Sequence, residues 1–233
     1  MRRGSPAPGL GFALAVAVLV LFSVARTFGV LGPPAESIGL LVGALALIAW
    51  FTGATLDDLG LGWADAREGL LYGAGAVALV LLVLVVAAVI PATNGFLHDS
   101  RAQISGDRLV YDLGVSIVLF TAIPEEFAFR GVLLGSGLRM WGPWRASLAS
   151  SALFGLWHIA PTLHTMSGNP GTGPGRQRRR AGTGGAYQHR RDVHRQCCLR
   201  LAPSWSESLI ASVMAQASVD GLALTVAWFT VCA

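Results

Sequence analysis

The sequence predicts an all-α fold, a polytopic transmembrane helical bundle. Two observations carry that prediction. The chain of 233 residues is 53% hydrophobic and only 13% charged, with a mean hydropathy of +0.58, whereas a soluble protein of this size carries about 25% charged residues. In addition, Gly69 to Ile90 contains no charged side chain, and a helix of that length crosses a hydrocarbon core about 30 Å thick.

The elements follow in order. Leu10 to Ala25 forms a first apolar run that extends through Arg26 to Val30. Arg2 and Arg3 precede it as in a secretory signal, but the run is long and lacks a small-residue cleavage site, so an uncleaved span is expected. Ile38 to Thr55 gives a second span and Gly69 to Ile90 a third. Leu113 to Ile123 leads into a charged stretch, Ser147 to Ile159 forms a further span, and Leu209 to Ala233 closes the chain. About six or seven spans joined by short loops fill this length and leave no room for a separate soluble domain. Residues 1–105 read as N-terminal transmembrane helices and 106–233 as the core that carries the chemistry, with 171–204 set apart as anomalous.

Arginine orients the bundle. Arg2 and Arg3, then Arg67, then Arg139 and Arg145 fall in alternate loops, which the positive-inside rule places in the cytoplasm together with the N-terminus. Gly32-Pro33-Pro34 is free of basic residues, as an outer loop should be. The loop from Asn94 to Arg108 departs from the pattern, because it carries Arg101 and Arg108 beside Asp99 and Asp107. Cysteine adds no framework: Cys197 and Cys198 are adjacent and Cys232 stands at the end, without disulfide or metal-knuckle spacing. Nor does the net charge of +4 point to nucleic acid, because 8 of the 17 basic residues lie between Arg176 and Arg200.

That basic stretch belongs to the anomalous segment. Within 171–204 the sequence turns to Arg, Gly, Gln and His, as in Arg176-Gln177-Arg178-Arg179-Arg180 and Gln188-His189-Arg190-Arg191. A solvated basic loop is the plain interpretation. Another is that all 17 basic residues are arginine, with none lysine, which marks a GC-rich, bacterial-looking gene. Alanine and valine codons of such a gene, read out of frame, give Arg, Gly, Pro and His. Cys197 to Ala202 read one base later permits an apolar string of Val or Ala, Phe and Leu. Two compensating frameshifts replacing a transmembrane helix are therefore expected here.

The charged stretch is Glu125-Glu126-Phe127-Ala128-Phe129-Arg130, set in apolar sequence. Ionisable groups at membrane depth cost roughly 2.5–3.5 kcal/mol each and mark function. Pro124 is expected to interrupt or restart the helix, with both glutamates in the first turn of a helix reaching about Leu138, capped around Gly135-Ser136-Gly137. Glu126 and Arg130 are four residues apart and can pair. Glu125 projects about 100° away from Glu126, so the two carboxylates have separate roles. An acidic first turn that only complements the helix dipole is the bland alternative. His158 follows in Phe154-Gly155-Leu156-Trp157-His158. Alone it reads as an interfacial polar residue beside Trp157. Paired with a carboxylate it can handle protons around one water. His98 and His164 are expected in loops, without a role.

Glu125-Glu126-x-x-x-Arg130 followed by Phe154-x-x-x-His158 resembles the CPBP family of intramembrane proteases, the CAAX-protease and bacteriocin-processing group. The resemblance covers roughly Leu109 to Phe229, and Asp57-Asp58-Leu59-Gly60-Leu61 is similar to a recurring turn of these proteins. It implies an endopeptidase in which Glu125 activates the hydrolytic water, Glu126 and Arg130 support it, His158 assists, and Phe154 belongs to the supporting motif. The family's third motif, HxxxN, is thought to stabilise the oxyanion. Its place is taken here by Gln216-Ala217-Ser218-Val219-Asp220. Gln216 can still donate a hydrogen bond, whereas ionised Asp220 repels developing negative charge. Gln216 is also a poor zinc ligand, so no metal and no cofactor are expected, with zinc the alternative.

The expected function is intramembrane hydrolysis of a peptide bond in a membrane-associated peptide or protein, in a bacterial plasma membrane, with the lipid bilayer as setting and no nucleic-acid partner. The alternatives are a catalytically impaired relative acting as a binding or immunity protein, a degraded gene product, or a small transporter using Glu125-Glu126 as a proton relay. The transporter requires further buried acids, for which only Asp112 and Asp220 are candidates.

Overall fold

The computed structural model describes residues 8–63, 66–90, 102–168 and 208–232. Six long helices organise them: α1 (Pro8–Thr27), α2 (Pro34–Phe51), α3 (Ala66–Val89), α4 (residues 106–138), α5 (Pro143–Gly168) and α6 (Leu209–Cys232). No strand occurs among the described residues. Helices α1, α2, α3 and α6 are each long and apolar enough to cross a membrane. Large apolar side chains such as Leu21, Phe51, Leu71 and Val85 stand on the outer surface, where a bilayer, not water, is the solvent they suit. The chain is an integral membrane protein.

Local chemistry sets the boundaries. Pro34 opens α2 at a position where its missing N–H has no helical partner to lose. Gly53, at φ 66°, closes it through the bond from Ala54 N to Ala49 O. A tight turn follows, in which Asp58 accepts from Thr55 N at 2.8 Å while Thr55 Oγ1 accepts from Asp58 N at 3.1 Å. Gly60, at φ 67°, ends it, and its carbonyl accepts the N–H of Leu209 at 2.8 Å. The Asp57-Asp58-Leu59-Gly60-Leu61 sequence thus anchors the start of α6.

The main core joins four helices. Ala15, Leu19 and Phe22 of α1 and Ile38, Leu41, Leu45 and Ala49 of α2 repeat at helical spacing. They meet Phe129, Val132 and Leu133 of α4 and Phe154 of α5. A second, largely separate contact joins α3 to α6. Gly69 and Gly73 form a small-xxx-small face against Ser208, Ile210 and Met214, and this lets the two backbones approach closely.

Four expectations about α4 and α5 are corrected. Pro124 does not restart a helix, because α4 runs unbroken through it. The reason is a wider turn: π-helical geometry holds at Asp112–Ser116, Val118–Ala122 and Phe127–Leu134, and Ile123 N–H reaches back five residues to Val118 O. Loosening the turn before Pro124 accommodates a ring that would otherwise crowd the preceding turn. Gly135 to Leu138 is helix, not cap. These glycines serve close packing instead, Gly135 against the Asp58 carbonyl and Gly137 against Ala146. Helix α5 begins earlier than expected and continues through Pro161 to Gly168, so His164 lies on a helix and not in a loop. His98 and the 171–204 segment lie outside the described residues.

Both α5 and α6 run antiparallel to α4. Along α5, Ala146 meets Gly137, Ser150 Oγ donates to Phe129 O, and Trp157 meets Glu125. Along α6, Leu209 meets Gly131, Gln216 meets Glu125, Gly221 meets Leu113, and Trp228 Nε1 donates to Ile104 O at 2.8 Å. The last described turn of α5 and the first of α6 therefore lie at opposite ends of the bundle.

Candidate active site

The α-helical turn Ile123–Glu126 sits between two π-helical stretches of α4, an arrangement often found where a helix carries function. Its two glutamates diverge as helical phase requires. Glu126 turns into the protein, where its side chain is 3% exposed and its Oε2 lies 3.0 Å from Arg130 Nε. This pair is buried rather than solvated. Such burial is costly unless the charges compensate one another, and the pair lies within the helix packing, away from the cavity wall formed by Glu125.

Glu125 turns the other way, into a cavity of about 910 Å³ whose walls include Trp157, His158, Gln216 and Asp220. Two other helices converge on its carboxylate. From α6, Gln216 Nε2 donates to Oε2 at 2.6 Å. From α5, Trp157 Nε1 donates to Oε1 at 3.2 Å, and His158 Nε2 stands 3.6 Å from Oε2. The imidazole is itself oriented by a 3.0 Å contact from Nδ1 to Phe154 O. A carbonyl only accepts, so this contact assigns the ring hydrogen to Nδ1 and, in the neutral ring, turns the Nε2 lone pair toward Glu125. The Phe154 ring lies 4.2 Å from the imidazole and packs edge-on against Phe129.

The residues read from the sequence thus separate into two groups. Glu125, His158, Gln216 and Asp220 line one cavity. Glu126, Arg130 and Phe154 stand behind it, and Phe154, 2% exposed, offers ring packing and a backbone carbonyl but no side-chain donor for an oxyanion. Trp157 was legible only as an interfacial aromatic, yet it holds Glu125 directly. Its position beside His158, near the next turn of Phe154, was the available sign. Helix α1 also contributes Ser23 and Arg26 to the cavity wall, which no motif in that helix announces.

The donor set does not fit a catalytic zinc. Such a site needs three protein ligands and an open position. Among the described residues no three His, Cys, Asp or Glu side chains gather at ligand distances, and Gln216 turns its amide nitrogen, a donor, toward Glu125.

No curated protein and no solved structure matches the chain. A family model described as type II CAAX prenyl endopeptidase Rce1-like matches residues 109–228, more than half of the chain. The matched stretch contains Glu125, Glu126, Arg130, His158, Gln216 and Asp220, and leaves α1 to α3 outside it. The chain accordingly belongs to this Rce1-like family of CPBP intramembrane proteases.

Proposed function

We propose that this membrane protein hydrolyses a peptide bond of a membrane-associated peptide or protein, with Glu125 as the base that activates water. One observation carries the proposal: Glu125 Oε2 and His158 Nε2 face each other at 3.6 Å on the wall of one cavity. Two acceptors at that spacing can each take a hydrogen from one water, leaving an oxygen lone pair for attack. Glu125 then takes a proton as the water oxygen bonds to the scissile carbonyl carbon. The tetrahedral intermediate collapses by breaking the C–N bond, and the proton passes by way of Glu125 or His158 to the departing amine. Gln216 is the donor nearest to this centre and is the residue available to the oxyanion. No metal takes part in this scheme.

The arginine pattern supports a cytoplasmic N-terminus, and the arginine-only composition supports a bacterial plasma membrane. Prenylated substrates do not follow from a bacterial setting, so the proposed substrate is an unprenylated membrane-associated chain.

A second interpretation is favoured by one contact. The Gln216 amide already occupies Glu125 Oε2, and Asp220 adds a carboxyl to the same cavity. Both features oppose hydrolysis and suit an impaired relative that binds peptides without cutting them. A peptidase assay in proteoliposomes separates the two. Cleavage by the wild type that is lost in both Glu125→Ala and His158→Ala supports catalysis. Equal turnover in all three proteins removes Glu125 and His158 from the chemistry, and sensitivity to chelators reinstates a metal.

A further inference from the structure

The Glu125 side chain has three rotatable bonds and two equivalent oxygens, so a base at this position needs something to decide which oxygen faces the reaction. Gln216 and His158 both address Oε2. The opposite oxygen, Oε1, accepts from Trp157 Nε1. A hydrogen bond to an ionised acceptor is about twice as strong as one between neutral groups, and the indole that supplies it is itself clamped. Phe22 of α1 stacks on Trp157 with ring centroids 5.9 Å apart and planes at 17°. Phe129 meets the indole edge-on at 5.8 Å and 66°. The N–H is thereby aimed by two rings from different helices, one of them outside the stretch matched by the family model.

We infer that Trp157 is a positioning residue. It ties down Oε1 so that Oε2 is the oxygen presented to His158, and Phe22 holds the indole in the orientation that does this. The inference deepens the proposed function, since it rests on Glu125 acting as the base. A tryptophan present only for packing would use the same ring faces but would be indifferent to the charge on residue 125.

The test uses the full chain in lipid nanodiscs and begins with a measurement that needs no turnover. The indole Nε1–H resonance of Trp157 is identified by its disappearance in Trp157→Phe. In Glu125→Gln the charged acceptor becomes a neutral amide, and that resonance should move upfield by more than it does in Glu126→Gln. A resonance that stays in place in Glu125→Gln overturns the inference, whatever the assay finds. The second measurement is kinetic. Trp157→Phe keeps a ring for Phe22 and loses the N–H, so kcat should fall about tenfold or more while KM and the melting temperature hold, because misplacing a catalytic group taxes the chemical step. An unchanged kcat also overturns it. Absence of turnover in the wild type counts against Glu125 as base, and the indole shift then decides by itself whether Trp157 holds that carboxylate.

Discussion

The amide of Gln216 donates to Oε2 of Glu125 at 2.6 Å, across the gap between α6 and α4. The contact joins the residue that departs from the family's third motif to the residue proposed as base. It also occupies the carboxylate oxygen nearest to His158, so under the proposed mechanism position 216 bears on proton transfer as well as on the oxyanion.

Restoring that motif should raise turnover. Under the proposed mechanism, Gln216→His with Asp220→Asn frees Oε2 from the glutamine amide and puts an amide donor in place of the Asp220 carboxyl on the cavity wall. One oxyanion donor is worth about 10²–10³ in turnover, and the double variant should gain on that scale in the proteoliposome assay. A double variant no faster than the wild type shows that these positions do not limit the reaction.

Much of the candidate site is legible in the sequence. Glu125, Glu126, Arg130 and His158 stood out because charged and imidazole side chains are rare in apolar sequence, and their spacing gave each a face. The path of α4 was not legible. Proline rules describe α-helical turns, and nothing in Leu119 to Pro124 announces the π-helical turn that lets the helix continue. The hold of Trp157 on Glu125 was equally hidden, since a tryptophan in a membrane helix has an ordinary place at the interface. The packing glycines were misassigned for a related reason: Gly135 and Gly137 look like a helix stop until the Asp58 carbonyl and Ala146 are seen against them.

The Glu126–Arg130 pair should matter for stability more than for substrate. Removing one partner of a buried ion pair leaves an uncompensated charge and costs about 3–5 kcal/mol. Arg130→Met should lower the melting temperature markedly in detergent, and adding Glu126→Gln should restore most of the loss. If Arg130→Met melts with the wild type, the pair does not stabilise the turn.

Close helix packing gives a third expectation. A Cβ on Gly135 would collide with the backbone carbonyl of Asp58, and backbone cannot yield as a side chain does. Gly135→Ala should therefore destabilise by about 1–3 kcal/mol, as overpacking does. On α3, Gly75 has open space around its Cβ position, so Gly75→Ala should be neutral or slightly stabilising. Thermal unfolding of the two variants side by side checks the contrast, and equal melting temperatures contradict it.

The shared direction of α5 and α6 sharpens the expectation about the arginine-rich segment. A chain that leaves α5 at one end of the bundle must reach α6 at the other. The sequence between them carries eight arginines from Arg176 to Arg200, and each costs roughly 2.5–3.5 kcal/mol at the centre of a bilayer. Resequencing the gene across these codons should reveal two compensating single-base shifts and, once they are corrected, an apolar run long enough to span. A reading frame that stands as given, with the arginines intact, contradicts the prediction.

The division of the bundle into a four-helix core and an α3–α6 pair has an evolutionary consequence. Glu125, Glu126, Arg130 and His158 sit on helices knitted into the main core, whereas Gln216 and Asp220 ride on α6, which lies against the glycines of α3 and along α4. Positions 216 and 220 can therefore change on one helix while the helices that carry Glu125 and His158 keep their packing, so the cavity wall and the scaffold are free to vary apart.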